Sequence, residues 1–167
     1  MPATHASDLA LFCVDVGIRS GMALFDAQGR LVWARSRNFG SRARLRKGVY
    51  TILRGLPRLG LVVLEGGGDL ARLWEHEARK LGAEVWRVSA EDWRDDLLPP
   101  RMRSCAAVAK QSAVAVAQEY ARSCGLPLAT AFNDDAAEAV LCGLWASLRV
   151  GGGGRNGKVS KNVLFRL

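Results

Sequence analysis

Three places in the chain put carboxylates where a folded core would otherwise take apolar side chains. Asp15 sits near the end of the apolar run LFCVDV, and Glu65 ends LVVLE just before three glycines. Asp134, Asp135 and Glu138 open the apolar stretch DDAAEAVLCGLWA. Each acid has an ordinary structural use. An Asp before Gly is a common turn residue, and acids favour helix starts through capping and the helix dipole. Their combination points to chemistry. Gathered carboxylates repel one another and resist desolvation, so such a cluster is costly unless cations sit among them. Oxygen-rich sites of this kind suit Mg²⁺ or Mn²⁺. Two such ions, ~4 Å apart, can activate a water and stabilise the leaving oxygen in phosphodiester cleavage.

For the acids to meet, the elements carrying them must converge. Residues 9–16 read as a buried strand, GIRSG (17–21) as a tight turn, and residues 22–25 as a second strand. A turn at 26–29 leads to an alternating third strand at 30–37, completing an antiparallel meander. The basic stretch 41–47 reads as a loop, followed by a helix over 49–56 that Pro57 ends. Residues 61–64 form a short apolar strand, and Asp69 is placed to cap a helix reaching about residue 81. A fifth strand at 84–88 and two long helices at 104–123 and 134–148 follow. The order β-β-β-α-β-α-β-α-α predicts an α/β fold with a mixed five-stranded sheet flanked by helices. If the first and fourth strands are neighbours, Asp15 and Glu65 meet at one sheet end. Asp135 and Glu138, three residues apart, share a helix face that can approach them. Residues 1–150 read as one domain, and 151–167 as a Gly-rich basic tail whose apolar end (163–167) has the character to dock.

Composition narrows the class. With 167 residues, 49% apolar and 24% charged, the chain suits one domain with one sizeable core. Lys and Arg number 24 against 16 Asp and Glu, a net charge of +8. The sequence pI is about 9.9, a balance expected of a protein that meets nucleic acid. No apolar run is long enough to span a bilayer and no secretory signal is visible, so the expected location is the cytoplasm. Cys13, Cys105, Cys124 and Cys142 have no zinc-ligand spacing and read as reduced packing residues.

Three motifs resemble the RuvC-like Holliday-junction resolvases. The turn Asp15-Val-Gly17-Ile-Arg19-Ser-Gly21 resembles their first-strand motif, Glu65 after LVVL their second acid, and Asp135-Ala-Ala-Glu138 their C-terminal pair. The resemblance runs over residues 9–148. It implies a ribonuclease H-like fold, a homodimer and symmetrical cutting of four-way DNA junctions, leaving 5′-phosphate and 3′-hydroxyl ends. It also implies that Asp15, Glu65, Asp135 and Glu138 hold two Mg²⁺ or Mn²⁺ ions, with Asp134 as the alternative to Asp135. No small-molecule cofactor is expected. Lys110 resembles a basic residue that the family sets near the scissile phosphate, where it would neutralise developing charge. Two departures stand out. Gly68 occupies the position, three after the second acid, where the best-studied members carry a junction-wedging aromatic; Phe39, Trp74 and Trp93 are the remaining candidates for stacking. Glu138 replaces the more familiar Asp, lengthening one ligand arm.

The expected DNA contacts are Arg19, Arg42, Arg44, Arg46 and Lys47, with Arg101 and Arg103 from a second loop-like region that also carries Arg94 and Pro99-Pro100. Arg35 and Arg37 add charge to the third strand. Such residues grip phosphates and set affinity without reading sequence. Three other readings compete. The YqgF-like RNA-processing proteins share the Asp-Val-Gly opening but not the other motifs. The same fold could act as a non-catalytic nucleic-acid-binding module. The actin-like ATPases also carry Asp-x-Gly on a phosphate-binding strand, but need two such domains.

Overall fold

A computed structural model describes residues 9–127 and 133–151 of the protein. The run ALFCVD forms β1 (Ala10–Asp15), apolar on both sides because it is the middle strand of the sheet. It pairs antiparallel with β2 (Arg19–Phe25), which pairs antiparallel with β3 (Leu31–Asn38). On its other side β1 runs parallel to β4 (Leu59–Glu65), and β4 runs parallel to β5 (Glu84–Val88). The order across the sheet is β3-β2-β1-β4-β5. β1, β3, β4 and β5 therefore point the same way, and their C-terminal ends make one edge. The predicted mixed sheet is the one observed.

Strand alternation sends successive side chains to opposite faces. One face carries Phe12, Val14, Met22, Leu24, Val62 and Leu64, covered by α1 (Arg42–Arg54) and α2 (Gly68–Lys80). Trp74 fills the middle of this layer with no exposure. The other face carries Leu11, Cys13, Ala23, Phe25, Val63, Trp86 and Val88. Against it lie α3 (Ala90–Leu97) and α5 (Asp134–Gly151), with α4 (Ala106–Ser123) packed on α5. The middle of helix α5 is dominated by Ala, Leu, Val and Trp because it crosses the sheet directly and is buried almost all round. Gly143 permits that contact: a Cβ there would meet the Phe25 ring at 2.2 Å and Cys13 Cβ at 3.1 Å. Cys13 and Cys142 touch across this β1–α5 seam as free thiols, and burial pushes both above the ordinary thiol range.

Some expectations need correction. The stretch 41–47 is not a loop: Ser41 caps α1, its hydroxyl accepting from Arg44 N at 3.2 Å, and the basic residues form the helix's first turns. Leu45, Gly48, Val49, Ile52 and Leu53 supply its buried stripe. The region of Arg94 is not loop-like either but lies in α3, started by a capping box between Ser89 and Asp92. A 3-10 turn (Pro100–Met102) follows and holds Arg101. Gly67, not Asp69, caps α2; Asp69 lies in its first turn. Cys105 is exposed and is not a packing residue. Residues 163–167 lie outside the described residues, and no helix among those described is long and apolar enough to cross a membrane.

Candidate metal centre

The parallel register pairs Asp15 with Glu65 at the common C-terminal edge. Both belong to the side-chain row of Leu11, Cys13, Leu61 and Val63, so both point to the α5 face. The ladder continues past the acids and fixes their backbones: Val16 N donates to Glu65 O at 3.0 Å, and Gly66 N to Val88 O at 3.1 Å. From β1 the chain leaves toward β2, and from β4 toward β5. The acids thus stand at the switch point of the sheet, where open α/β sheets commonly bind ligands.

The first helical turn of α5 arrives at the same edge, and the glycine motif explains how. Gly21, opposite Asp15 in the ladder, faces the backbone of Asp135. A Cβ on Gly21 would lie 1.8 Å from the Asp135 carbonyl oxygen, so only glycine lets the helix come this close. Gly17 serves the turn itself, since a Cβ there would meet Arg19 O at 2.5 Å. Ser20, buried, closes that turn by donating to Gly17 O at 2.7 Å. Asn133 caps α5, its Oδ1 accepting from Ala136 N at 3.1 Å, while its Nδ2 donates to Ser36 Oγ on β3 at 2.7 Å. The helix start is thereby tied to the sheet edge.

Asp15, Glu65 and Glu138 each offer a carboxylate oxygen, and the three atoms lie within 4.8 Å of one another. Burial, followed by the charges of Glu65, Glu138 and Asp135 and a hydrogen bond with Glu138, pushes the Asp15 carboxyl up to about 8. Glu65, 7% exposed, is pushed up to about 7, again by burial first. The Trp93 indole, donating to Glu65 Oε2 at 2.8 Å, and the charge of Arg94 resist that rise. Carboxylates gathered this closely repel one another unless a cation is shared among them. The donor set, all carboxylate oxygen, fits a hard divalent ion such as Mg²⁺ or Mn²⁺.

The other expected site residues are distributed as follows. Asp135 lies next to the triad but gives its Oδ2 to Arg19 Nε at 2.7 Å. Asp134 is exposed. Lys110 is exposed on α4. Arg42, Arg44, Arg46 and Lys47 are all exposed along α1. Arg42 and Arg46 line a groove against α2 with Arg72, His76, Glu77 and Lys80. Arg101 is exposed, whereas Arg103 braces the α3 end by pairing with Asp95 at 2.8 Å and donating to Leu98 O at 3.0 Å. Arg35 and Arg37 lie over the Trp33 and Phe39 rings. The three aromatics considered for stacking are core residues: Phe39 is 4% exposed and Trp74 and Trp93 not at all. Gly68 has φ +70°, a backbone that an aromatic residue adopts only with strain.

Sequence reasoning missed the part of α3. Trp93 grips Glu65, and Arg94 Nη2 donates to Glu138 Oε1. The usable signal was the Ser89-x-x-Asp92 capping box, which announces a helix placing both residues beside the β4 and β5 ends.

The chain matches no protein-family model and no curated protein sequence. Among solved structures it is similar to Thermus thermophilus RuvC bound to a Holliday-junction substrate, with TM-score 0.59 and 17% identity over 87% of this chain and 96% of that one. A second structure of Thermus thermophilus RuvC gives TM-score 0.55 and 16% identity, over 86% and 97% of the two chains. The fold is ribonuclease H-like, in the RuvC arrangement. Against a RuvC-type scaffold, the triad lies on the central strand, its parallel neighbour and the final described helix.

Proposed function

We propose that this protein is a divalent-metal-dependent endonuclease for branched DNA, four-way junctions foremost. The observation that carries the reading is the meeting of Asp15, Glu65 and Glu138 within 4.8 Å, on a fold shared with a RuvC bound to a junction. Asp15 and Glu65 would hold the metal, Mg²⁺ or Mn²⁺, with Glu138 closing the site and Asp135 joining once Arg19 releases it. A divalent ion bound there supplies electrophilic stabilisation of charge on the phosphoryl oxygens. The chain's own residues do the rest. Trp93 fixes the rotamer of Glu65, and the Asn133 cap fixes the angle of α5. The side chain of Arg19, 58% exposed beside Asp135, is within reach of a phosphate entering at that edge. Arg42, Arg44, Arg46 and Lys47, with Arg101 and Arg103, would grip the backbone of the arms, and Lys110 would approach the scissile phosphate. Two copies acting together would give the paired cuts that junction resolution needs.

The test is cleavage of synthetic four-way junctions, linear duplex and structured RNA with Mg²⁺, Mn²⁺ or chelator. The expected result is metal-dependent junction nicking, lowered about a thousandfold or more by Asp15→Asn or Glu65→Gln while junction binding persists. Cutting that survives either substitution removes the assigned site. Junction binding without cutting supports a binding module, and preference for RNA supports an RNA-processing enzyme.

A further inference from the structure

Four carboxylates crowd the sheet edge: Asp15, Glu65 and Glu138 in the triad, and Asp135 beside it. Two arginines of the same chain answer them, Arg19 on Asp135 and Arg94 on Glu138. With every group ionised the cluster retains a charge of minus two, which one divalent ion cancels. Glu91 also presses on Glu65, but it is exposed at the start of α3 and solvated.

The two arginines are not alike. Arg19 is more than half exposed at a strand start and can swing away. Arg94 is held. Its side chain is 26% exposed, its Nε is buried without a partner among the described residues, and its guanidinium lies 5.2 Å from the Trp93 ring. Helix α3 is pinned on both sides of it. Trp93 donates to Glu65, and Asp96 accepts from Trp145 Nε1 and Arg149 Nη2 on α5, each at 2.8 Å. A guanidinium cannot shed its proton in a protein, so a permanent positive charge is built into the acid cluster. It takes one oxygen of Glu138, a carboxylate that a second ion would need, and it repels any cation placed there.

We infer that Arg94 takes the place of a second divalent ion, so that this site holds one ion, on Asp15 and Glu65, and not a pair. Arg94 is here a positioning residue, acting through Glu138 and through the charge balance. The inference rests on the nuclease reading to the extent that both require Asp15 and Glu65 to bind metal.

The experiment is titration of the metal-free full chain with Mn²⁺, followed by calorimetry and by the electron paramagnetic resonance of free Mn²⁺, in mildly alkaline buffer. Wild type, Arg94→Gln and Arg94→Lys are compared, with circular dichroism as the check on folding. Wild type and R94K are expected to take one ion per chain. R94Q is expected to gain a second, bound about tenfold or more tighter than any second ion on wild type. Two ions of similar affinity on wild type overturn the inference while leaving the nuclease reading intact. So does an R94Q titration that matches wild type. If R94Q does not fold, the wild-type count decides alone, one ion supporting the inference and two overturning it. No Mn²⁺ binding to wild type overturns both readings.

Discussion

The two faces of the sheet are built from the same strands by opposite rules. Val14 and Leu64, on the α1–α2 face, are completely buried and apolar. Their next neighbours along the strands, Asp15 and Glu65, turn to the α5 face and set carboxyl groups against it. On the α1–α2 side the polar groups lie outside and pair in solvent, as in the contacts of Arg54 and Lys80 with Glu77 and of Arg79 with Glu75. Such surface pairs contribute little. On the α5 side they lie inside, where leaving one unpaired is expensive. The difference teaches that a single alternating strand can separate stability from chemistry: one face secures the sheet, and the other bears the electrostatic cost of the acids.

That separation can be broken in order of expected effect. Leu45→Ala empties a fully buried position under α1 and is expected to cost ~2–5 kcal/mol in urea unfolding. Cleavage per folded molecule should stay near wild type, because α1 packs on the other face. Gly21→Ala does the reverse. Forcing a methyl against the Asp135 backbone is expected to cost ~1–3 kcal/mol and to push the α5 start from the edge. Mn²⁺ affinity and cleavage should fall together in that variant, by more than its stability loss explains.

The basic α1 groove sharpens the contrast from the other side. Arg42→Ala with Arg46→Ala should weaken junction binding about tenfold, equivalent to ~1.4 kcal/mol. The salt slope of binding should drop by about 2, with little change in the single-turnover rate at saturating protein. The acid edge also predicts a pH dependence of stability. Asp15 and Glu65 titrate near 8 and 7 in the folded protein, against 3.8 and 4.5 as ordinary side chains. Between those limits the folded state keeps protons that the unfolded chain has lost, so stability in chelator falls as pH rises and levels off near pH 8. Melting temperature in chelator should therefore fall steadily as pH is raised through that range. Asp15→Asn should flatten the fall, and Mg²⁺ should reverse most of it at the alkaline end.

Much of this architecture was legible beforehand. The acids of β1 and β4 stood out because each interrupts an apolar run, and the meander followed by strand–helix alternation leads directly to the mixed sheet. Helical spacing set Asp135 and Glu138 on one face, and the family resemblance named both as ligands. Other features were hidden by surface charge. In 41–47 the four basic residues mask Leu45, the one side chain that belongs to the buried stripe continuing at Val49. In 90–97 only Trp93 and Leu97 are buried, and two points do not define a period. The roles of Trp93 and Arg94 depend on β5 delivering α3 next to β4, a tertiary fact with no local trace. Gly21 was read as part of a turn, while its main task is set by a helix more than a hundred residues later.

The touching thiols of Cys13 and Cys142 give this architecture a built-in clock. Shielded and held protonated at the seam behind the acids, they should react with a thiol reagent only when α5 lifts from the sheet, whereas exposed Cys105 reacts at once. The slow phase of labelling would then time how often the chain uncovers the floor beneath its acids.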